Sequence, residues 1–216
     1  MANIILKNNK KRKCFETFLS LDYKFLNISY PSIESNEDDY NAFLDDLNNS
    51  YQIYDITEEL FLETDFICSL PSGIKKFKKL EKIEVSGSRF WHLTMEQMPN
   101  TVRTVILTDH SNLQSKCIIG MDKFISLEHL FLDYGPFNLC IFLGENETNT
   151  DEDIVLIPLM PKLKYIVFNS GICYSEDDLI DDWKDRILNN KLFSNIKDKI
   201  TNIIYNDYRL TIELQN

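Results

Sequence analysis

Apolar residues along this chain change their spacing in a recurring way. In "LPSGIKKFKKLEKIEVSGSRF", residues 70–90, Ile74, Phe77, Leu80 and Ile83 lie three apart, whereas Ile83 and Val85 lie two apart. A helix keeps a period near 3.6 and a strand a period of 2, so one element alone does not account for the stretch. The underlying unit is L-x-x-L-x-L, where L is any aliphatic or aromatic residue. Leu80-Ile83-Val85, Val102-Val105-Leu107, Leu127-Leu130-Leu132 and Leu163-Ile166-Phe168 fit it, and Thr57-Leu60-Leu62 and Tyr23-Leu26-Ile28 are close relatives. First positions fall at 23, 57, 80, 102, 127 and 163, giving central intervals of 23, 22 and 25 residues and outer ones of 34 and 36. Recurrence in the low twenties marks a stacked repeat array.

Each unit predicts a short strand whose fourth and sixth residues point inward with the first, neighbouring strands running parallel. Ile74, Phe77 and Leu80 belong to the return segment that closes the core from the other side. One repeat cannot bury its own apolar face, so the array needs caps at both ends. At the start, "KKRKCFETFLSL" predicts a short helix gathering Phe15, Phe18 and Leu19, and residues 37–47 a second with Tyr40, Phe43, Leu44 and Leu47 on one side. At the far end, Ser175 and Asp178 resemble a capping box. Leu179, Ile180, Trp183, Ile187 and Leu188 then predict one helix, and Phe193, Ile196, Ile200, Ile203 and Ile204 another. Tyr208, Leu210, Ile212 and Leu214 alternate as in an edge strand.

The stretch "TEELFLETDFICSLPSGIKKFKKLEKIEVSGSRFWHL", with its Leu70-Pro71 step, resembles the leucine-rich repeat family; "FISLEHLFLDYGPF" and "MPKLKYIVFNSGI" repeat the same join. The resemblance covers about residues 55–172. It implies an α/β fold: a leucine-rich repeat solenoid with a curved parallel sheet and helical caps at both ends. A single domain, 1–216, then divides into an N-terminal cap with a degenerate repeat (1–55), the repeats (56–172), and a C-terminal helical cap with an edge strand (173–216). The family's ninth position usually carries Asn; here it holds Asp65, Ser88, His110, Gly135 and Gly171, which predicts irregular turns. The acidic stretch "GENETNTDED", 144–153, is the expected bulge of the longest repeat.

In such a sheet the third, fifth and seventh residues of each unit face the concave side. The third positions are Phe25, Glu59, Lys82, Thr104, His129 and Tyr165; the fifth are Asn27, Phe61, Glu84, Ile106, Phe131 and Val167. The seventh are Ser29, Glu63, Ser86, Thr108, Asp133 and Asn169. A mainly apolar stripe between polar flanks has the character of a protein-binding surface. Sideways packing between strands, or cover by a terminal segment of the chain, produces the same pattern. For partner binding, Phe61, Ile106, Phe131, Tyr165 and Val167 are the candidate apolar contacts, and Lys82, Glu84, His129 and Asp133 the candidate determinants of selectivity.

Composition narrows the function classes. The formal net charge of −11 argues against a nucleic-acid backbone as main partner. Hydrophobic residues at 44% and charged ones at 26% are ordinary for a globular chain. Cys14, Cys68, Cys117, Cys140 and Cys173 are odd in number and scattered, which argues against a disulfide framework or a zinc site. No apolar run reaches the roughly 20 residues that span a bilayer. The chain opens with its apolar stretch ahead of its basic residues, the reverse of a secretory signal. The expected setting is therefore cytoplasmic, with the basic run 7–13 a candidate nuclear address; the lysines of 75–79 solvate a return segment. No nucleophile elbow, phosphate loop, dinucleotide loop, zinc helix or calcium loop occurs. Of His92, His110 and His129, only His129 falls on the concave face, where Asp133 is a candidate acid–base companion. The sequons at Asn27, Asn48 and Asn146 lack a secretory context. The expectation is a non-catalytic protein-interaction module without metal or cofactor. Its alternative is a structural protein that self-associates through the concave face or the edge strand.

Overall fold

All six spaced units become strands, each beginning at its third position. The computed structural model describes residues 3–5, 16–20, 24–29, 37–63, 70–86, 93–94, 98–108, 118–119, 125–134, 160–170, 180–189, 193–206 and 209–215. In chain order these form β1 (Asn3–Ile5), β2 (Glu16–Ser20), β3 (Phe25–Ser29), α1 (Glu37–Tyr51), α2 (Ile53–Ile56) and β4 (Glu59–Glu63). After a 3-10 turn at Ser72–Lys76 come β5 (Lys82–Ser86), β6 (Leu93–Thr94), β7 (Thr104–Thr108), β8 (Ile118–Ile119), β9 (His129–Tyr134) and β10 (Tyr165–Ser170). The chain ends with α3 (Ile180–Asn189), a 3-10 turn at Lys197–Lys199, β11 (Ile200–Asn206) and β12 (Arg209–Leu214).

The fold is α/β, organised on one open sheet in the order β1-β2-β3-β4-β5-β7-β9-β10-β12-β11. From β3 to β10 every neighbouring pair is parallel; β1 and β2 on one side, and β12 and β11 on the other, are antiparallel additions. The parallel register never slips. Leu26, Leu60, Ile83, Val105, Leu130 and Ile166 stand in one row, and Ile28, Leu62, Val85, Leu107, Leu132 and Phe168 in the next. Both rows are buried. A slip of one residue would turn them to the opposite face, so burial of one face holds the register.

The backbone repeats one junction along this ladder. The Lys24 carbonyl accepts from the N–H groups of both Glu58 and Glu59, that of Glu58 from Glu81 and Lys82, and that of Glu81 from Arg103 and Thr104. Arg103 then serves Glu128 and His129, and Glu128 serves Lys164 and Tyr165. Parallel strands pair by evenly spaced, slanted bonds, and the same step recurs wherever two units meet.

Between strands the chain lays apolar residues on the core face: Leu70, Ile74 and Phe77 from the first return, and Tyr40, Phe43, Leu44 and Leu47 from α1. Asn41 clamps helix to turn, since its Oδ1 accepts from Gly73 N–H at 2.7 Å and its Nδ2 donates to Ser72 Oγ at 2.9 Å. A Cβ at Gly73 would stand 2.8 Å from that Oδ1 and 3.0 Å from Leu44 Cδ1, so a larger residue would push the Asn41 side chain out of its bond. Tyr54 meets the edge of Phe77 with ring centroids 5.0 Å apart.

Thr57 occupies a first position held elsewhere by Tyr23 and by aliphatic residues, and it is fully buried. Its hydroxyl finds no hydrogen-bond partner among the described residues. A buried unsatisfied hydroxyl costs free energy that an apolar isostere avoids. Thr57→Val is therefore expected to stabilise the fold by about 1 kcal/mol, read as a higher urea midpoint at unchanged slope.

Three expectations need correction. The segment read as a helix at the start forms β2, antiparallel to β3 with Phe18 opposite Asn27. The outer side of β3 presents unpaired backbone groups, and pairing there outweighs a short helix with no core of its own. The second C-terminal helix is absent as well: Phe193 and Ile196 are buried at a turn, and Ile200, Ile203 and Ile204 enter β11. Helix-like spacing over 193–204 is overridden by the β-branched run Ile200, Thr201, Ile203 and Ile204. The strand expected over 208–214 exists as β12, yet it is inserted between β10 and β11 and is not the edge. The helices expected near 37–47 and 179–188 are present as α1 and α3. All five ninth-position residues, the five cysteines, His92, Ser175 and Asp178, and the segments 7–13 and 144–153 lie outside the described residues.

Candidate functional site

Strand alternation sends the third, fifth and seventh positions of each unit to the face opposite the core. The third positions stand side by side as Phe25, Glu59, Lys82, Thr104, His129 and Tyr165, and β12 adds Glu213. Fifth positions align as Asn27, Phe61, Glu84, Ile106, Phe131 and Val167, continued by Thr211 and Ile204. The sheet thus places every candidate residue in one register, with Asp133 paired to Asn169 at the seventh level.

Contacts run across the strands along this face. Lys82 Nζ donates to Glu59 Oε2 at 3.2 Å. Thr104 Oγ1 and His129 Nδ1 are 3.3 Å apart, and the His129 ring stacks on Tyr165 with centroids 5.5 Å apart. Phe61, Ile106 and Phe131 are half-buried, whereas Tyr165 retains 38% of its surface. Val167 differs: at 5% exposure it packs between Phe131 and Thr211 and offers little contact surface. His129 and Asp133 are four residues apart on one extended strand, about 13 Å, too far to share a proton. His129 is oriented by Thr104 and Tyr165 instead.

Charge divides the face. Phe61 is flanked along its strand by Glu59 and Glu63 and across the ladder by Glu84, with Lys82 the cation beside them. From β7 to β10 the third and fifth rows hold only Thr104, Ile106, His129, Phe131, Tyr165 and Val167. One end is acidic around an aromatic ring; the other is aromatic, with its formal charges at the margins, Asp133 at the seventh level and Glu213 on β12.

A second row, not among the candidates above, runs beside the third positions. The second position of every unit is charged: Lys24, Glu58, Glu81, Arg103, Glu128 and Lys164. Four of these, Glu58, Glu81, Arg103 and Glu128, join the adjacent third positions in lining a cleft of about 300 Å³ at the start of the strands. Lys24 pairs with Glu58, while Glu128 accepts from Lys164 at 2.5 Å and faces Arg103 at 3.7 Å. Glu81 has no ion pair among the described residues. The signal for this row was available, since one charged residue recurs at a fixed place in each unit.

The Lys164 hydrogen bond holds the Glu128 carboxyl below the usual carboxylate range, against the upward push of partial burial. On the core side, hydrogen bonds from Lys76 and then Tyr54 hold Asp45 low. Burial in turn pushes the Tyr54 phenol well above its ordinary value. For both carboxylates the unfolded chain binds protons at a pH where the folded one does not, so stability rises with pH through that window. The contribution is expected to be complete above about pH 5 and to fade as acid carries the pH below the ordinary carboxylate values. Asp45→Asn together with Glu128→Gln should flatten that acid limb in urea titrations between neutrality and acid pH; an unchanged limb would remove these two groups from the effect.

Among the described residues no group of three His, Cys, Asp or Glu side chains is placed to hold a metal ion. Nor, among them, is any helix long and apolar enough to cross a membrane. No protein-family model, curated protein or solved structure matches the chain.

Proposed function

We propose that the protein is a leucine-rich repeat solenoid, its parallel sheet curved and α1 and α3 the helical parts of its caps, that binds a protein or peptide segment on the concave face without catalysing a reaction. Six L-x-x-L-x-L units in constant register, joined by one repeated backbone junction, support the repeat reading. The observation that carries the function is the row Phe61, Glu84, Ile106 and Phe131, half-exposed on an open sheet face beside Tyr165. Extended sheet faces of this kind are what solenoids present to partners. Scattered cysteines in odd number favour a reducing, cytoplasmic setting.

Charge complementarity specifies the segment. Acids cluster around Phe61, so a lysine or arginine of the partner belongs at that end and an apolar or aromatic residue against Phe131 and Tyr165. Glu84 and Phe131 are separated by two strand spacings, about 10 Å, or roughly three residues of extended chain. A segment with a cation three places from an aromatic residue fits that distance.

Selection from a displayed library of random peptides tests this reading. Enrichment of peptides carrying that cationic and aromatic pair is expected, with loss of capture by Glu84→Lys. Failure to enrich any sequence, or equal capture by Glu84→Lys, would overturn it.

A further inference from the structure

The sheet ends in two unlike edges. β1 is three residues long, whereas β11 runs for seven, Ile200-Thr201-Asn202-Ile203-Ile204-Tyr205-Asn206. In a chain that is 26% charged, β11 contains no charged residue and no proline. Natural edge strands are commonly blunted by lysine, proline, shortness or a bulge; of these β11 has only a register shift near its start, between Ile200 and Asn202, and from Asn202 to Asn206 it runs regularly.

Its inner side pairs with β12 from Ile200 opposite Leu214 to Asn206 opposite Arg209. Among the described residues no strand lies on the outer side. The Ile203 N–H instead donates to the side chain of Asn202 at 3.0 Å, a local substitute for a neighbouring strand. Ile204 is 41% exposed, an apolar side chain in water beside that edge.

We propose that β11 is a self-pairing edge through which two copies of the chain join antiparallel. A two-fold axis sets the residues beside it against their own counterparts, so a charge there would meet a like charge; this strand has none. With the axis at Ile203, Asn202 of one copy lies opposite Ile204 of the other, and the two Ile204 side chains are diagonal neighbours. The pairing satisfies the outer backbone groups, covers Ile204 and joins two ten-stranded sheets into one. It rests on the sheet edge and on Ile204 at the margin of the open face, and does not depend on what the row Phe61 to Phe131 binds.

Sedimentation equilibrium and amide hydrogen exchange test it. The wild type is expected to reach twice its 25.4 kDa at micromolar concentration, with the amides of 200–206 exchanging at least tenfold more slowly in the dimer. Ile204→Lys should weaken dimerisation at least tenfold while keeping its circular dichroism. An equimolar mixture of Ile204→Lys and Ile204→Glu should recover it, because the diagonal pair becomes opposite in charge. A wild type that stays monomeric to millimolar concentration would overturn the proposal. So would a dimer whose 200–206 amides exchange as fast as in the monomer, a result that needs no variant and assigns association to another surface.

Discussion

Phe168→Ala is expected to lower the free energy of unfolding by about 3–5 kcal/mol, a large part of the 5–15 kcal/mol typical of a domain. Phe168 is the sixth residue of its unit, 1% exposed, and meets Phe193 edge-on with centroids 6.2 Å apart at 84°. The pair joins the last parallel strand, β10, to the segment that leads into β11. Truncation leaves a cavity at this joint as well as removing buried apolar surface. Urea unfolding measures the loss, and Phe168→Leu should recover part of it. A loss below about 1 kcal/mol would mean that the joint collapses around the gap and that the aromatic pair is not its anchor.

On the open face the largest expected effects are on affinity. For a peptide selected by the wild type, Phe131→Ala is expected to weaken binding by about 1–3 kcal/mol, the range of a central aromatic anchor. Phe131 stands at the fifth level between Ile106 and Val167, on the aromatic half of the face. Glu84→Lys is expected to cost more, since it sets a cation against the cation of the peptide in partly desolvated surroundings. The two losses should separate by ionic strength: added salt weakens wild-type binding and leaves the Phe131→Ala deficit nearly constant. Isothermal titration at two salt concentrations gives both numbers. Full wild-type affinity in Phe131→Ala would place the peptide elsewhere.

The parallel ladder was legible from sequence because its spacing is dictated by burial. Leu80, Ile83 and Val85 have no other way to reach one core, and the same holds for each unit through Phe168. Register followed from the same rule, which is why all nine candidate residues stand on one face. The ends were less legible. Phe15, Phe18 and Leu19 have a spacing compatible with helix, and only the open edge of β3 turns Glu16–Ser20 into a strand. Ile200 to Ile204 likewise fit a helix on spacing alone, while their β-branched composition and pairing with β12 make a strand. Burial of Val167 was hidden because it depends on Phe131 and on Thr211, a residue 44 positions later in the chain. The cleft at the start of the strands needed only attention to the second position of each unit.

The bifurcated junction between units has a consequence for how such a chain can change. Because each step from one second-position carbonyl to the next is the same, an inner unit carries nothing that ties it to its place in the order. A duplication of 80–101, the span from one first position to the next, would offer its neighbours the bonds they already make. It would widen the open face by one strand spacing, about 4.8 Å. Growth at either end meets an antiparallel pair instead, β2 on β3 or β12 on β10, whose register is unique to it. The array is therefore closed at its ends and extensible in its middle, so that the width of its open face is a quantity inherited unit by unit.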